Sequence, residues 1–364
     1  MMRYIDQIMD AFVLEMIRTK PDLVIVSGDM TYNGEKESHI GLANKFKILK
    51  DKGIKVLVLP GNHDLENEMA LAFEGDATRP VETVTIEEFE EIYKDYGYGK
   101  DDPDVVSRDK KSLNYVYQLG NKCHLIMVET STNGNDQTIS NSSYRWIEKW
   151  LRKAKDMNMR VIGVSHQNIL AHNKLFIAGY KITNSSRLVD LYNKYNVRIN
   201  LSGHMHIQHM AEHKRVHDIA LACLGLYPNL YGVLDMDLRN NMTYHTESLD
   251  VAYWMKKYKH QDSDLLDFEN TSREYFVRCT RLQTEKQLAK LDLSKEDKEM
   301  MMDFMVDTNI HYFSGSLDKR PDLSLDNPAY KLWMDHCERT FTGSYLNSIY
   351  TDTISDHNRL EIFQ

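Results

Sequence analysis

The chain is short of cysteine, of long apolar runs and of positive charge, and each shortage narrows what it can be. Its four cysteines (Cys123, Cys223, Cys279 and Cys337) lie far apart and form no Cys-x-x-Cys pair. They are expected as free core thiols, which suits a reducing compartment. No apolar run approaches the length needed to span a bilayer, so no membrane segment is expected. The first residues hold no basic segment followed by a hydrophobic core. The chain as given therefore carries no secretory signal and is expected in the cytoplasm, with export open should an upstream segment carry one. A net charge of −9 disfavours tracking nucleic acid through its phosphates, although a local basic patch would escape that average. Repeats, low-complexity segments and an obvious linker are also missing. What is left is a soluble globular chain: 364 residues suffice for two domains, and 42% hydrophobic with 27% charged residues is ordinary.

Against those absences stands one local grammar used repeatedly. Val56-Leu57-Val58-Leu59 runs straight into Pro60-Gly61, and Asn62, His63 and Asp64 follow without a gap. A short apolar run stopped by turn residues reads as a buried strand of a parallel sheet, and ligands bind just beyond the carboxyl ends of such strands. Leu23-Val24-Ile25-Val26 followed by Ser27-Gly28-Asp29 repeats the pattern. So does Val197–Leu201 followed by Ser202-Gly203-His204-Met205-His206. A further short strand at 160–164 ends at Ser165-His166-Gln167-Asn168.

Between these strands the periodicity is helical. Ile5, Ile8, Met9, Phe12, Val13, Met16 and Ile17 make one apolar stripe over 4–18. A helix there normally joins two parallel strands in a right-handed crossover, so a further strand is expected upstream of Met1. Helices are expected near 38–52, 86–96, 142–157 and 186–195, and a hairpin over 113–119 and 123–129 joined at Gly120-Asn121. After about Leu249 strand signals stop and three or four helices are expected. Ser294 and Asn327-Pro328 serve as N-terminal caps, and a last helix carries Tyr330, Trp333, Met334, Cys337, Phe341 and Tyr345 on one face. The methionines of 300–305 read as helix packing. The expected division is residues 1–249, an α/β domain, and residues 250–364, a C-terminal helical domain.

Asp29, Asn62, His166, His204 and His206 thus stand at the ends of four strands. One carboxylate, one amide and three imidazoles suit manganese, iron or zinc better than magnesium or calcium. On an extended backbone His204 and His206, two apart, project to the same side. A carboxylate can bridge two ions, as a two-metal hydrolase requires: one ion polarises a phosphoryl oxygen while bound water of lowered pKa attacks phosphorus in line. His63 sits beside a ligand without needing to be one, and could protonate the leaving oxygen with Asp64 orienting its ring. Taken singly, Asp29 could be a turn or cap residue, and His166 an ordinary polar residue after a strand.

Gly28-Asp29, Gly61-Asn62-His63-Asp64, His166 and Gly203-His204-Met205-His206 together resemble the calcineurin-like metallophosphoesterase family over about the first 250 residues. Ser27–His39 and Tyr227–Gly232 extend the likeness to bacterial class III cyclic nucleotide phosphodiesterase-like proteins with an added C-terminal helical domain. The resemblance implies a β-sandwich flanked by helices and two divalent ions. Asp29 would be the bridging carboxylate; Asn62, His166 and His204 would complete the second metal site, and His206 would belong to the first. His63 would assist the leaving group. The family's opening Asp-x-His motif is absent, which leaves one well-ligated site and places the missing ligands upstream together with the missing strand. Gln167 stands where relatives often have a second histidine, a change expected at the pocket rim.

The resemblance implies a phosphoric ester hydrolase acting on a small substrate, a phosphodiesterase with a cyclic nucleotide favoured. A phosphomonoesterase or nuclease on the same core, and an impaired scaffold acting through its helical domain, are the competing readings. His39 and His172 are further candidates to reach substrate. His209, His213 and His217 are expected as surface histidines on hairpin strands, and Asp101, Asp102 and Asp104 as a solvated loop. The oligomeric state is left open.

Overall fold

The computed structural model describes residues 2–75, 77–132, 137–237, 239 and 241–363. Helix α1 (Ile5–Thr19) leads to β1 (Leu23–Val26), and α2 (Lys36–Asp51) to β2 (Lys55–Val58), which pairs parallel with β1. A small hairpin, β3 (Leu71–Glu74) and β4 (Ala77–Pro80), and α3 (Ile86–Ile92) follow. Then come β5 (Val105–Arg108), β6 (Tyr115–Leu119), β7 (Cys123–Val128), α4 (Asn141–Asp156), β8 (Arg160–Ser165), α5 (Ser185–Lys194) and β9 (Ile199–Ser202). The hairpin of β10 (His209–His213) and β11 (Val216–Ala220) precedes β12 (Leu230–Met236) and β13 (Met242–Ser248). Seven strands form one sheet in the order β10-β11-β9-β8-β7-β6-β5, with β7, β8, β9 and β11 parallel.

Why this sheet sits in the middle follows from its alternation. Tyr115, Tyr117, Leu125, Met127, Ile162 and Val164 face a core shared with β1, β2, β13 and α1. Their neighbours Val116, Ile126, Val128 and Val161 face a second core made with α4 and α5. A sheet buried on both faces needs apolar residues at every position, and β7 and β8 are buried throughout. The result is a layered α/β fold with the smaller strands packed over one face and helices over the other. The parallel strands all end at one edge, where Ser27, Pro60, Ser165 and Ser202 hand over to the loops that carry the candidate ligands.

Beyond β13 the chain is helical: α6 (Val251–Lys257), α7 (Ser263–Leu266), α8 (Phe268–Leu288), α9 (Lys295–Phe313), α10 (Pro328–Cys337) and α11 (Phe341–Tyr350). Six helices are described, where periodicity suggested three or four. The expected last helix is two. Thr340 donates to Cys337 O at 2.7 Å and accepts from Gly343 N at 3.2 Å, so one side chain closes α10 and opens α11. Phe341 consequently leaves the buried face and is 65% exposed. Ser294 and Asn327 cap α9 and α10 as their types dictate. Met301, Met302 and Met305 pack with Trp333, whose Nε1 donates to Met301 O at 2.9 Å. One strand went unread: β14 (Arg359–Ile362) returns to pair antiparallel with β13. Among the described residues no helix is long and apolar enough to cross a membrane.

Three histidines fasten the segment after α11 to the edge of the large sheet. His172 Nδ1 lies 3.0 Å from His209 Nδ1, and the His209 ring stacks on His357 with centroids 3.9 Å apart. Asp218 stands 3.2 Å from His172 Nε2, Asp352 stands 3.4 Å from His209 Nε2, and Met210 N donates to His357 Nδ1 at 3.1 Å. This corrects two expectations. His172 is buried in a structural seam and does not face the ligand loops, and His209 is buried although His213, at the other end of the same strand, is exposed. Burial also holds the pKa values of His39, His124, His204, His217 and His311 below the ordinary histidine value, together with those of His209 and His357, the last pushed down to about 3. Groups that stay neutral when folded but protonate when unfolded give stability that is full above pH ~6.5 and is lost as pH falls. Among the histidines His166 alone is raised and opposes this, as do the buried carboxyls of Asp64 and Glu129, raised by burial; the lowered histidines outnumber them. Thermal melts in chelator should therefore show a melting temperature falling steadily between about pH 6.5 and 4.5; a flat profile over that interval would contradict the buried neutral histidines.

Candidate metal centre

Two glycines let the strand ends close on one another. Gly28, with φ of +102°, lies so near the next strand that a Cβ on it would sit 2.6 Å from both Gly61 N and His166 Nδ1. A Cβ on Gly61 would sit 2.8 Å from His166 Cε1 and against Asp29. The residues that follow are bent out of the regular regions. Asp29, His204 and His206 have φ of 52°, 65° and 54°, conformations that side chains other than glycine adopt rarely and that cluster at functional sites. The expected extended backbone at His204-Met205-His206 is thus a tight left-handed turn instead.

His166 is the hub. Its ring is buried, and Nδ1 lies 2.8 Å from Ser27 O. A carbonyl can only accept, so Nδ1 carries the hydrogen and Nε2 of the neutral ring presents a lone pair. Around Nε2 stand Asn62 Oδ1 at 3.0 Å, His204 Nδ1 at 3.1 Å and Asp29 Oδ1 at 3.2 Å. His204 is fixed the same way, with Nε2 3.0 Å from Gly179 O, so its Nδ1 is also a lone pair. Four lone pairs at these distances repel one another unless a cation lies among them. A proton on His166 answers in part: burial opposes charging the ring, but the hydrogen bond and charge of Asp29 outweigh it and raise the pKa. Asp29 responds in kind. Burial alone would raise its pKa, yet His166, His206 and the His63 N–H, which donates to Oδ1 at 3.1 Å, hold it well below the carboxylate range. His204 is pushed down to about 4 by burial and by His166. It stays a neutral donor.

Carboxylate, amide oxygen and two imidazoles with converging lone pairs fit a divalent ion of the manganese, iron or zinc kind. The ligand atoms of Asp29, His166 and His204 all lie within 4.8 Å of one another, the one such group among the described residues. His206 is half exposed and approaches the other oxygen of Asp29, with Nε2 3.8 Å from Oδ2. The two oxygens of Asp29 therefore meet different imidazoles.

His63 and Asp64 part company. Asp64 is fully buried and accepts from Gly61 N at 2.8 Å, Thr31 N at 3.0 Å and Thr31 Oγ1 at 3.1 Å. It braces the loop and does not orient the His63 ring, correcting the role expected from adjacency. Burial and the charge of Asp29 raise its pKa, against the pull of His39. The ring of His63 is held by Asn33, whose Oδ1 lies 3.2 Å from His63 Nδ1 and also accepts from Asn67 Nδ2 at 3.0 Å. Asn33, thirty residues before His63, was not among the candidate site residues. His39 is buried against Phe89 and Tyr93, with Nε2 2.9 Å from Asp64 O, and does not reach the pocket. Gln167 is likewise buried, bonded to Thr130 rather than set at a rim. Asp218, unnoticed in the sequence, accepts from Ile169 N at 2.7 Å and Leu170 N at 2.9 Å and so anchors the loop bearing His166. Asp104 contacts Lys55 at 3.4 Å and Tyr117 at 3.3 Å across the loop that the neighbouring aspartates share.

Residues 2–208, more than half of the chain, match the calcineurin-like phosphoesterase family, and residues 250–356 match the C-terminal domain of cyclic nucleotide phosphodiesterase. The chain belongs to the calcineurin-like phosphoesterase family, whose members are hydrolases dependent on divalent metal ions. No curated protein matches it. Among solved structures it is similar to a dimetal phosphatase from Danio rerio, at 12% identity and a TM-score of 0.46, over 67% of this chain and 86% of that one. It is also similar to GAP50, the anchor in the inner membrane complex of Plasmodium, at 12% identity and a TM-score of 0.42, over 67% of this chain and 80% of that one.

A methyl group at Gly61 would be driven into Asp29 and the His166 ring. Gly61→Ala is therefore expected to weaken Mn2+ binding, read by calorimetry on the intact chain, by roughly tenfold or more; unchanged affinity would remove Asp29 and His166 from the metal site.

Proposed function

We propose that the chain is a metal-dependent phosphodiesterase. The observation that supports this reading most is the meeting of four lone-pair atoms, from Asp29, Asn62, His166 and His204, around a point where only positive charge is tolerated. These four residues would hold one divalent ion. The second oxygen of Asp29, with His206, would contribute to another. Bound ions of this kind supply Lewis-acid polarisation of a phosphoryl oxygen and a lowered pKa for coordinated water. The protein's own part is to keep the donors ionised or neutral as required: Asp29 stays a carboxylate and His204 an uncharged imidazole.

His63 is placed to manage the leaving group. Asn33 Oδ1 accepts the Nδ1 hydrogen of His63, and Asn33 is itself pinned by its Nδ2, which donates to Met69 O at 3.1 Å. With Nδ1 committed as donor, the proton that can be given up or taken is the one at Nε2. A half-buried ring beside Asn62 then delivers that proton to a departing alkoxide. The C-terminal match to cyclic nucleotide phosphodiesterase favours a cyclic nucleotide among possible diesters, and the matched residues 250–356 would form the domain that selects it.

Two measurements test the reading. Purified chain with Mn2+ should hydrolyse an activated phosphodiester and cyclic AMP faster than the corresponding monoester; strong preference for the monoester would replace the diesterase assignment. Asn33→Ala should lower kcat roughly tenfold or more on esters with poor leaving groups. On an activated aryl ester, whose leaving group needs no proton, it should have little effect. An equal loss on both esters would deny His63 the role of acid.

A further inference from the structure

The helical region opens a cleft beside the metal-centre loops, and its composition does not match the rest of the surface. The cleft holds a cavity of about 310 Å3 between the 176–180 and 205–207 loops and helices α8, α9 and α11. None of the fifteen residues lining it is charged, in a chain where 27% are. Aromatic rings run from the metal centre into it: Tyr180 lies 5.2 Å from the His204 ring, Phe176 lies 5.1 Å from Tyr180, and Phe341 lies 6.1 Å from Phe176. Met205, between the candidate ligands His204 and His206, forms part of the wall. Polar capacity is present only as amides and hydroxyls. Asn309 uses its Oδ1 for the Tyr345 hydroxyl at 2.8 Å, leaving its NH2 available. Among the described residues the exposed Gln283 has no hydrogen-bond partner.

A cleft of this size with aromatic walls, neutral amide edges and no charge suits a flat uncharged heterocycle. Adjacency to the metal centre requires that heterocycle to be attached to the phosphoester. We infer that this cleft holds the nucleobase of a nucleotide substrate, packed against the aromatic wall of Phe176, Tyr180 and Phe341 and read at its edge by Gln283 and Asn309. The inference rests on the hydrolase reading above and adds to it what the helical region selects. Phe341, 65% exposed at the first position of α11, is the part of that aromatic wall most open to an incoming ring.

The test compares 3′,5′-cyclic AMP, ribose 3′,5′-cyclic phosphate without a base, and a phenyl phosphodiester, all with Mn2+ and the full chain. The wild-type chain should favour cyclic AMP over the base-free ester in kcat/KM. Phe341→Ala should cut that preference roughly 5- to 100-fold, mainly through KM. Leu325→Ala, which removes an apolar side chain that is 46% exposed elsewhere on the helical region, should keep the preference intact. Equal kcat/KM with and without the base, or a preference unmoved by Phe341→Ala, overturns the inference. A phenyl ester accepted as well as cyclic AMP overturns the nucleobase assignment too. If no ester is hydrolysed, the hydrolase reading fails and the cleft is tested alone by saturation-transfer NMR with adenosine. Contact that Phe341→Ala weakens then supports it, and absence of contact overturns it.

Discussion

A hydrogen bond from His166 Nδ1 to the carbonyl of Ser27 governs the rest of the centre. It joins the end of β8 to the end of β1, across two sheets, and in doing so decides which nitrogen of the ring is left bare. Every neighbour of the bare nitrogen is an acceptor as well. Asp29 also accepts from the His63 N–H, yet the chain still brings its oxygen, that of Asn62 and the bare nitrogen of His204 to one point and tolerates their mutual repulsion. Lone pairs gathered this way around a buried ring are stabilised by a cation among them. The two glycines at 28 and 61 exist in service of this approach, since either with a side chain would hold the strands apart.

Around the hub the protein has built supports that never touch the central point. Asp64 ties Thr31 to Gly61, Asp218 ties the loop after β8 to β11, and Asn33 fixes the His63 ring. Each is an acceptor satisfied by backbone or amide donors, so each works by direction more than by charge. Outer supports of this sort set the orientation and basicity of the groups they hold.

Much of this was legible before any coordinates. Short apolar strands ending in Gly-Asp, Gly-Asn-His-Asp and Gly-His-Met-His announced a parallel sheet and the residues at its carboxyl edge, because burial on both faces leaves a continuous apolar run. Tertiary substitutions were not legible. Adjacency suggested that Asp64 orients His63, but consecutive residues in a tight turn point apart, and the partner came from Asn33 thirty residues earlier. Likewise His172 and His209 were judged by their own strands and loops. Their burial comes from a segment more than 140 residues downstream that lies over them. The split of the last helix has a local reason: Glu338-Arg339-Thr340 carries no glycine or proline, and the break rests on the doubled hydrogen bonding of Thr340 and on Gly343, where a Cβ would be driven into Cys337 O.

The pairing of β14 with β13 makes the helical region an insertion between two neighbouring strands rather than a tail. A unit held at both ends by the same sheet has a short leash. It is also tied to the large sheet between those ends, through His357 on His209 and Tyr312 on Asn173, so it cannot swing clear as a domain on a single tether would. The wall that helices α8, α9 and α11 offer beside the metal centre is thereby held in register with the sheet that carries the ligand loops.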